Sequence, residues 1–597
     1  MIVVVKRVLF YVFSFLLFAL LFALLLLNKS ALWGLIAFAL VTAAFYAGHA
    51  VLSRKGAKRR GRRALLWLGW LGAFAALVFL AWPATKPIPA VAVKDPEKTE
   101  IVTIADGQIR GVYNEDKSVA VYAGIPYAKA PVGDLRWRAP KDPVPWEGVL
   151  EADTFAPMSM QPTNLPIYDS LAQMIGYHDY TPRVNETVAP VSEDSLYLNI
   201  WCPVHSVGKL PVLVYIHGGS LQTGQPWYAD YSGEGLARQG VIVVNMGYRL
   251  GVFGFLAEQS LADEDPHGST GNYGLLDQIK ALEWVRDNIA AFGGDPDNVT
   301  LAGESAGSAC VSALCTSPLA AGLFERAIME SSTLASPEPP HSFRAFDDAL
   351  AAGRATLQKY NCDTIGDLRA LPASKLVGEA DVHHHLTVDG YALTETPYES
   401  YKKGVHNEST ILHGYNSEES APFLLLSGAN LKNYERYFRA LFGEYAEEAL
   451  ALYPAATDAE AAANWATVFG AAYFDYPHYC LNRLAAQNGI PVYEYYFCRS
   501  NGRLGAWHSG EEVYCYGNIP AGSKLYDERD RELSWQMSFC WKNFALRGDP
   551  NVQGLPVWRS NDQSYYVMCF GDETKIEVEQ KHELFAIFDK LQGFAGE

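Results

Sequence analysis

The fold is decided by the stretch Asn298-Val299-Thr300-Leu301-Ala302-Gly303-Glu304-Ser305-Ala306-Gly307. Its first five residues predict a buried strand, and a helix is predicted from Ala306 to about Leu314. The pentapeptide between them has the form Gly-x-Ser-x-Gly, in which a sharp strand-to-helix turn exposes the hydroxyl of the central serine. Because the strand and the helix flank the motif, we predict that Ser305 is a nucleophile.

Outward from this stretch, short β-branched runs alternate with helical patterns. Val212 to Ile216 and Val241 to Met246 predict strands, and apolar residues at helical spacing follow from Leu275 to Ile289. The glycines Gly293 and Gly294 end that helix. The alternation predicts an α/β fold, with a mostly parallel central sheet flanked by helices.

A second glycine motif, His217-Gly218-Gly219-Ser220, follows the first of these strands. The backbone N–H groups of Gly218 and Gly219, with that of Ala306, are candidates for an oxyanion hole. An ordinary turn after a strand would also place glycines here. The expected order of the two motifs favours the oxyanion hole.

Longer motifs surround these two. They are Gly124-Ile125-Pro126-Tyr127-Ala128, Glu193-Asp194-Ser195-Leu196-Tyr197-Leu198-Asn199, Tyr248-Arg249-Leu250-Gly251-Val252-Phe253-Gly254-Phe255, Gly271-Asn272-Tyr273-Gly274-Leu275-Leu276-Asp277-Gln278 and Phe292-Gly293-Gly294-Asp295-Pro296. From about Glu100 to about Phe588 the chain resembles the type-B carboxylesterases, which include the cholinesterases, and most of all the bacterial para-nitrobenzyl esterases. The resemblance implies an α/β-hydrolase fold and a serine carboxylic-ester hydrolase that needs no cofactor.

The resemblance also locates an acid and a base, which follow the nucleophile in that order in this fold. The acid is Glu419, in the loop Gly414-Tyr415-Asn416-Ser417-Glu418-Glu419-Ser420. The family usually has Gly at position 420, so neighbouring Glu418 is the alternative. The base is His508, in Gly505-Ala506-Trp507-His508-Ser509-Gly510-Glu511.

Two further residues are expected beside this triad. Ser331 matches a family serine that supports the triad, although an ordinary serine at a strand end fits equally well. Glu304 directly precedes the nucleophile. Some relatives on this fold are non-catalytic adhesion proteins, and these typically lack the nucleophile. Because serine, glutamate and histidine are all present here, the enzyme is favoured.

No metal site is predicted. The run His383-His384-His385 resembles a metal motif, but consecutive side chains on an extended chain point to opposite faces, which favours a solvated loop. The nine cysteines form no CxxC pair and are expected to be small buried apolar residues.

Two serines stand where the family often has a disulfide. Ser159 lies in Phe155-Ala156-Pro157-Met158-Ser159-Met160-Gln161, and Ser195 in Glu193-Asp194-Ser195-Leu196. We therefore expect the two serines to be close enough for a disulfide to span them, and a lid that no cross-link closes.

Three apolar segments open the chain, at residues 8–27, 31–52 and 64–82. Each has the length of a membrane-spanning helix, and they follow one another too closely for a cleaved signal peptide. Residues 1–82 are therefore predicted to be a membrane anchor, residues 83–97 a proline-rich linker, and residues 98–597 the hydrolase domain.

Charge divides the chain in two. The first 86 residues contain 11 Lys and Arg and no Asp or Glu, whereas residues 87–597 contain 37 basic and 66 acidic side chains, a net formal charge of −29. The acidic part excludes nucleic acid as a partner. The basic loop between the second and third segments predicts a cytoplasmic N-terminus and an extracytoplasmic hydrolase domain. The expected partners are thus a small-molecule ester and membrane lipid; the sequence specifies neither the acyl chain nor an oligomeric state.

Overall fold

The computed structural model divides the chain into two compact units. One comprises Met1–Pro87 and Thr163–Pro190, and the other Ile88–Pro162 and Val191–Glu597. The described residues are all except 1, 55–59, 84–87, 92–94, 164–166, 168–169, 171–189, 206–207, 340–342, 380–381, 384, 426–427, 501, 503, 562–564, 579–580 and 595–597. Every candidate site residue lies in the second unit.

The first unit contains three long apolar helices, α1 Ile2–Leu27, α2 Leu32–Arg54 and α3 Arg60–Leu80. Each contains a stretch of at least 20 residues that is long and apolar enough to cross a membrane. The helix α1 begins at Ile2, before its predicted span, and α3 begins at Arg60, where arginines favour the helix. Polar contacts join them: Ser14 Oγ lies 3.0 Å from Tyr46 Oη, and the Trp70 indole donates to Thr42 Oγ1.

A sheet of eleven strands organises the described part of the second unit. In chain order the strands are β1 Val112–Tyr113, β2 Val119–Pro126, β3 Tyr197–Pro203, β4 Leu210–Ile216, β5 Ile242–Met246, β6 Gly294–Glu304, β7 Arg326–Glu330, β8 Thr410–Asn416, β9 Val492–Phe497, β10 Tyr566–Phe570 and β11 Thr574–Val578. Their spatial order is β11-β10-β9-β8-β7-β6-β4-β5-β3-β2-β1. The pairs from β10 through to β5 are parallel, and the pairs at both edges are antiparallel.

Helices cover both faces of this sheet, so the central strands are continuously apolar. The residues Val212–Ile216 of β4, for example, are all fully buried. The longer helices are α4 Tyr273–Asn288, α5 Ala306–Thr316, α6 Phe346–Lys359, α7 Tyr434–Phe442, α8 Asp458–Gly470, α9 Tyr476–Gln487, α10 Glu528–Arg547 and α11 His582–Gln592. Shorter helices are Glu234–Ala237, Gly251–Phe255, Gln259–Glu264, Ile365–Arg369, Ala373–Leu376, Pro397–Lys402, Ala421–Leu424, Ala446–Leu452 and Glu512–Cys515. This arrangement is the predicted α/β class.

Smaller strands lie outside the central sheet. Val102–Ile104, Gly107–Arg110 and Val149–Glu151 form one three-stranded sheet, and two pairs join Met158–Ser159 to Val191–Ser192 and Phe343–Arg344 to Leu386–Thr387. Part of the predicted linker belongs to the second unit. Val91 N–H donates to the Asp153 carbonyl, and the Pro89 carbonyl accepts from Phe155 N–H. These backbone hydrogen bonds tie residues 89–91 to the second unit.

The parallel strands place the candidate residues at one edge of the sheet. Ser305 follows β6, Ser331 follows β7, Glu419 follows β8, and His508 lies in the segment after β9. The carboxyl ends of neighbouring parallel strands meet at the same edge, which is where open α/β sheets bind their ligands.

Candidate active site

Ser305 occupies a tight turn between β6 and α5. Its backbone has φ 54° and ψ −124°, which is a strained conformation for a residue with a side chain. Glycine is needed two residues on, because a Cβ on Gly307 would lie 2.0 Å from the Ile216 carbonyl oxygen. The close approach of α5 to β4 makes this turn sharp, so the serine hydroxyl projects away from the backbone, as the Gly-x-Ser-x-Gly motif predicts.

The structure brings Ser305, His508 and Glu419 into one hydrogen-bonded line. His508 Nε2 lies 2.8 Å from Ser305 Oγ, and His508 Nδ1 lies 2.6 Å from Glu419 Oε2. The second carboxylate oxygen of Glu419 accepts from the Asn416 backbone N–H at 2.7 Å. In this geometry the imidazole can accept the serine proton while the carboxylate holds the ring.

Glu418 and Glu419, the two candidates for the acid, have different partners. Glu418 accepts from Ser417 Oγ and from the Ala506 N–H, and it is exposed. Glu419 is 2 % exposed and contacts the imidazole. Between the two candidates for the acid, the geometry places Glu419 at the histidine.

The candidate oxyanion donors lie on two segments that meet at Ser305. A Cβ on Gly218 would lie 3.0 Å from Ser305 Cβ, so this backbone passes directly beside the serine. Gly219 has φ 103°, a conformation that favours glycine. Ala306 is the first residue of α5, where the backbone N–H has no partner within the helix. All three amides therefore lie at or next to the turn that carries Ser305.

Comparison with known proteins finds esterases that match most of the chain. The model of the carboxylesterase family matches residues 98–587. The fumonisin B1 esterase of Sphingopyxis macrogoltabida is 33 % identical over 532 residues, 86 % of this chain and 92 % of that protein. The para-nitrobenzyl esterase of Bacillus subtilis is 32 % identical over 506 residues, 81 % of this chain and 97 % of that protein.

The chain belongs to the carboxylesterase family. Its fold is that of a solved relative, the carboxylesterase EST55 of Geobacillus stearothermophilus, with a TM-score of 0.69 at 32 % identity, over 82 % of this chain and 99 % of that one. The predicted α/β-hydrolase fold and the predicted carboxylic-ester hydrolase are thus confirmed. The relatives are named as esterases, which gives no support to the adhesion alternative.

Five buried carboxyl groups of this carboxylesterase form an electrostatically linked cluster that includes the neighbours of the histidine: Glu304, Glu330, Glu419, Glu511 and Glu512. Two of them lie beside the imidazole, since His508 Nδ1 is 2.6 Å from Glu419 and His508 Nε2 is 3.3 Å from Glu304. Burial without a cation is costly for a carboxylate. Burial therefore favours the protonated form of Glu304, Glu330 and Glu511.

Burial and neighbouring charges raise the pKa values of three of these carboxyl groups. Burial, together with the charge of Glu419, raises the pKa of Glu511 to about 7. Burial and then the charge of Glu511 raise the pKa of Glu330 to about 8. Burial, then Glu512 and Glu511, raise the pKa of Glu304 well above its ordinary value. These raised pKa values reduce the negative charge of the cluster at neutral pH.

Two of these acids are held by identifiable donors. Glu511 accepts from Ser331 Oγ at 3.1 Å, and its other oxygen accepts from the Asn416 side-chain amide. Glu330 accepts from the Trp541 indole at 2.7 Å and from the Tyr516 hydroxyl at 2.9 Å. The predicted supporting residue Ser331 is thus linked to Glu419 through Glu511 and then Asn416.

Glu304 lies nearer the reacting atoms. Its Oε1 accepts from Ser509 Oγ at 2.7 Å and lies 3.3 Å from His508 Nε2. Sequence reasoning missed Glu511 and Glu512, although Glu511 stands only three positions after His508 in the histidine motif. That spacing is the signal that could have found it.

Aromatic rings form an apolar wall on the other side of the histidine. The rings of Phe423 and Phe474 lie 5.2 and 4.7 Å from the His508 ring, and Phe469 lies 6.3 Å from Phe423. Phe423 is 46 % exposed although it is apolar. The wall therefore offers an open apolar surface beside the serine and histidine.

Two other sequence predictions concern residues outside the triad. Ser159 Oγ donates to Ser195 Oγ at 2.9 Å and both side chains are buried, so the two serines that replace the disulfide are in direct contact. Most of the loop between them lies outside the described residues. His383 is fully buried, with Nε2 2.7 Å from Thr356 Oγ1, so the prediction of a solvated loop is wrong for this residue, since α6 packs against it. His384 lies outside the described residues.

Proposed function

We propose that this carboxylesterase hydrolyses its ester through a Ser305-His508-Glu419 triad and a covalent acyl-enzyme. The observation that carries the proposal is the position of His508, within hydrogen-bonding distance of both Ser305 Oγ and Glu419 Oε2. In the first step Ser305 Oγ attacks the ester carbonyl while His508 Nε2 takes its proton. Glu419 holds the ring in the tautomer that leaves Nε2 free to accept.

The oxyanion then formed is stabilised by the N–H groups of Gly218, Gly219 and Ala306. Each such donor contributes on the order of 10²–10³ in rate. His508 returns the proton to the leaving alcohol, and the acyl group stays on Ser305. Water, activated by the same imidazole, releases the acid and restores the serine.

A fluorophosphonate probe tests the nucleophile. It should label the wild-type protein at Ser305, because a base-activated serine beside an oxyanion hole reacts readily. Ser305→Ala should lose labelling and esterase activity, whereas Ser409→Ala, which changes an exposed serine, should retain both. Esterase activity in purified Ser305→Ala protein would overturn the assignment.

The preferred esters in this proposal are uncharged and partly apolar. Phe423, Phe469 and Phe474 offer apolar contacts next to the histidine, and the net charge of −29 over residues 87–597 disfavours an anionic substrate. A para-nitrophenyl ester of butyric acid should therefore be hydrolysed with a higher kcat/KM than the para-nitrophenyl monoester of succinic acid.

The aromatic wall can be tested separately. Phe423→Ala should lower kcat/KM for the butyrate ester, and Val557→Ala, which truncates another exposed apolar residue, should leave it unchanged. Equal or faster hydrolysis of the succinate ester would contradict the preference.

The N-terminal helices are proposed to anchor the enzyme in a membrane, with the N-terminus in the cytoplasm. The basic residues between α2 and α3 then stay inside, and α3 leads the chain to the outer face. Protease added to intact cells should digest the hydrolase domain. Protection until the cells are lysed would show the opposite orientation.

The anchor is not expected to take part in catalysis, because no triad or oxyanion residue lies in residues 1–82. A protein beginning at Ile88 keeps the backbone pairing of residues 89–91 and should hydrolyse small esters at the rate of the full chain. A protein beginning at Glu97 loses that pairing and should be less stable.

A further inference from the structure

Two cysteines outside the catalytic site lie in unusually close contact. The Sγ atoms of Cys498 and Cys569 are 2.7 Å apart, and both residues are free thiols in the structure. Sulfur atoms that are not bonded pack further apart than this, while a covalent S–S bond measures about 2.0 Å. The two side chains thus already approach the separation of a bond.

The strand pairing explains the contact. Cys569 lies in β10 opposite Tyr496 of the parallel strand β9, and the Cys498 N–H, directly after β9, donates to the Phe570 carbonyl. Residues two apart on a strand share a face, so Cys498 projects to the same side as Tyr496 and reaches Cys569 diagonally. The paired backbones of the two strands therefore hold the two thiols in contact, and a bond between them needs no change in the strand pairing.

We propose that Cys498 and Cys569 are a redox-active pair that forms an intramolecular disulfide when the enzyme meets a small-molecule or protein disulfide. The sequence alone offered no reason to pair these residues, which are 71 positions apart. The proposal concerns a covalent modification and does not depend on the catalytic triad.

The accessibility and hydrogen bonding of the pair indicate how the reaction begins. Cys498 is partly exposed and Cys569 is buried. A hydrogen bond from the Cys569 thiol lowers the pKa of Cys498, and the same bond raises the pKa of Cys569. Because the thiolate is the attacking species, Cys498 is the thiol that reacts first.

The exchange takes place in two steps. The Cys498 thiolate attacks one sulfur of the oxidant, breaks its S–S bond and releases a thiolate that takes up a proton. The Cys569 thiol then loses its proton and attacks Cys498 Sγ, releasing the second half of the oxidant as a thiol. Two protein thiols are oxidised by two electrons, and one disulfide is reduced to two thiols.

The cross-link would fix the base of the segment that carries the catalytic histidine. Cys498 begins the stretch that leads to His508, and the preceding Phe497 carbonyl accepts from Ser417 N–H in the loop of Glu419. A bond from Cys498 to β10 therefore anchors both loops at the sheet edge. We expect slower thermal inactivation of the oxidised enzyme with little change in its turnover of small esters.

Peptide mapping tests the bond directly. The full-length protein in detergent is treated folded with oxidised glutathione or with dithiothreitol, blocked with iodoacetamide and cut with trypsin. Cys498 and Cys569 fall in the tryptic peptides 484–499 and 560–575, each of which contains one cysteine. The oxidised sample should contain these two peptides joined, with two fewer alkylated thiols than the reduced sample.

Single variants provide the controls. Cys498→Ser and Cys569→Ser should each prevent the link, whereas Cys362→Ser, which removes another partly exposed thiol, should leave it intact. The proposal is overturned if both peptides remain separately alkylated after oxidation of the folded protein. It is also overturned if they join only after unfolding in urea. The readout needs no esterase activity, so Ser305→Ala protein should give the same result.

Discussion

The contact between Ser159 and Ser195 allows a cross-link to be introduced where related enzymes often have one. Their Oγ atoms lie 2.9 Å apart in a buried position, next to the strand pair Met158–Ser159 and Val191–Ser192. We predict that Ser159→Cys/Ser195→Cys forms a disulfide without rearranging the backbone. The bond should close the loop between them and stabilise the folded enzyme.

The magnitude follows from the length of the loop. The two residues are 36 positions apart, and closing a loop of that length stabilises by about 4 kcal/mol through the unfolded chain. The substitution also removes the contact of Ser159 Oγ with the Tyr248 carbonyl, at 2.6 Å, which costs about 1 kcal/mol. The net gain is about 3 kcal/mol.

A gain of this size has a small but measurable effect on the thermal midpoint. The unfolding entropy is about 2.1 cal/mol/K per residue, which over the 490 residues of the family match gives about 1 kcal/mol/K. The midpoint should thus rise by about 3 °C, measured by scanning calorimetry of the oxidised double variant.

Wild-type protein under the same oxidising and reducing conditions controls for the native cysteines. The single variants Ser159→Cys and Ser195→Cys control for the loss of each hydroxyl. Failure of the two cysteines to join, or an unchanged midpoint after joining, would refute the geometric correspondence. If the loop admits bulky esters by opening, the cross-linked enzyme should also lose activity on them more than on acetate esters.

Three further predictions concern single carboxyl groups. Glu419→Gln should lower kcat for para-nitrophenyl acetate by about 10⁴ with little change in KM, because the amide favours the wrong histidine tautomer, while Glu418→Gln should stay within about twofold. Asp277→Asn should destabilise the fold by about 3–5 kcal/mol in thermal or chemical unfolding, since it leaves the buried Arg249 guanidinium without its carboxylate at 2.7 Å. The pKa of Glu330 is raised to about 8 in the folded protein. The stability that the protonated Glu330 contributes is therefore complete below the pKa of this group in the unfolded chain. It is lost as pH rises towards 8, at about 1.4 kcal/mol per pH unit. Glu330→Gln should therefore flatten the fall of the thermal midpoint between pH 5 and 8, and an unchanged slope would contradict the raised pKa.

The sequence predicts the elements around the nucleophile well, because their signals are local. The strand before Ser305, the helix after it and the glycines between them are read from adjacent residues, and the structure has β6 and α5 at those positions. The predicted ends of the strands and helices are less accurate than their positions in the chain. The strand β6 begins at Gly294 rather than Asn298, because a register irregularity between Gly294 and Val299 lets earlier residues pair with β4.

Contacts between distant segments could not be predicted in this way. Glu330 and Glu511 are 181 positions apart, and no local pattern shows that their carboxyl groups become buried in the same region. The pairing of Cys498 with Cys569 also depends on two strands becoming neighbours in the sheet. Family motifs located Glu419 and His508, whereas the surrounding acids and thiols require the packed structure.

The buried acids explain how one imidazole can carry the chemistry in so acidic a surrounding. If all five carboxyl groups were ionised, their mutual repulsion and desolvation would oppose folding. Raised pKa values at Glu304, Glu330 and Glu511 reduce that charge at neutral pH, and hydrogen bonds from Trp541 and Tyr516 hold Glu330 in place. When the imidazole gains the serine proton, its new charge also lowers the cost of ionising the neighbouring acids, so the network can respond to the charge that appears during the reaction.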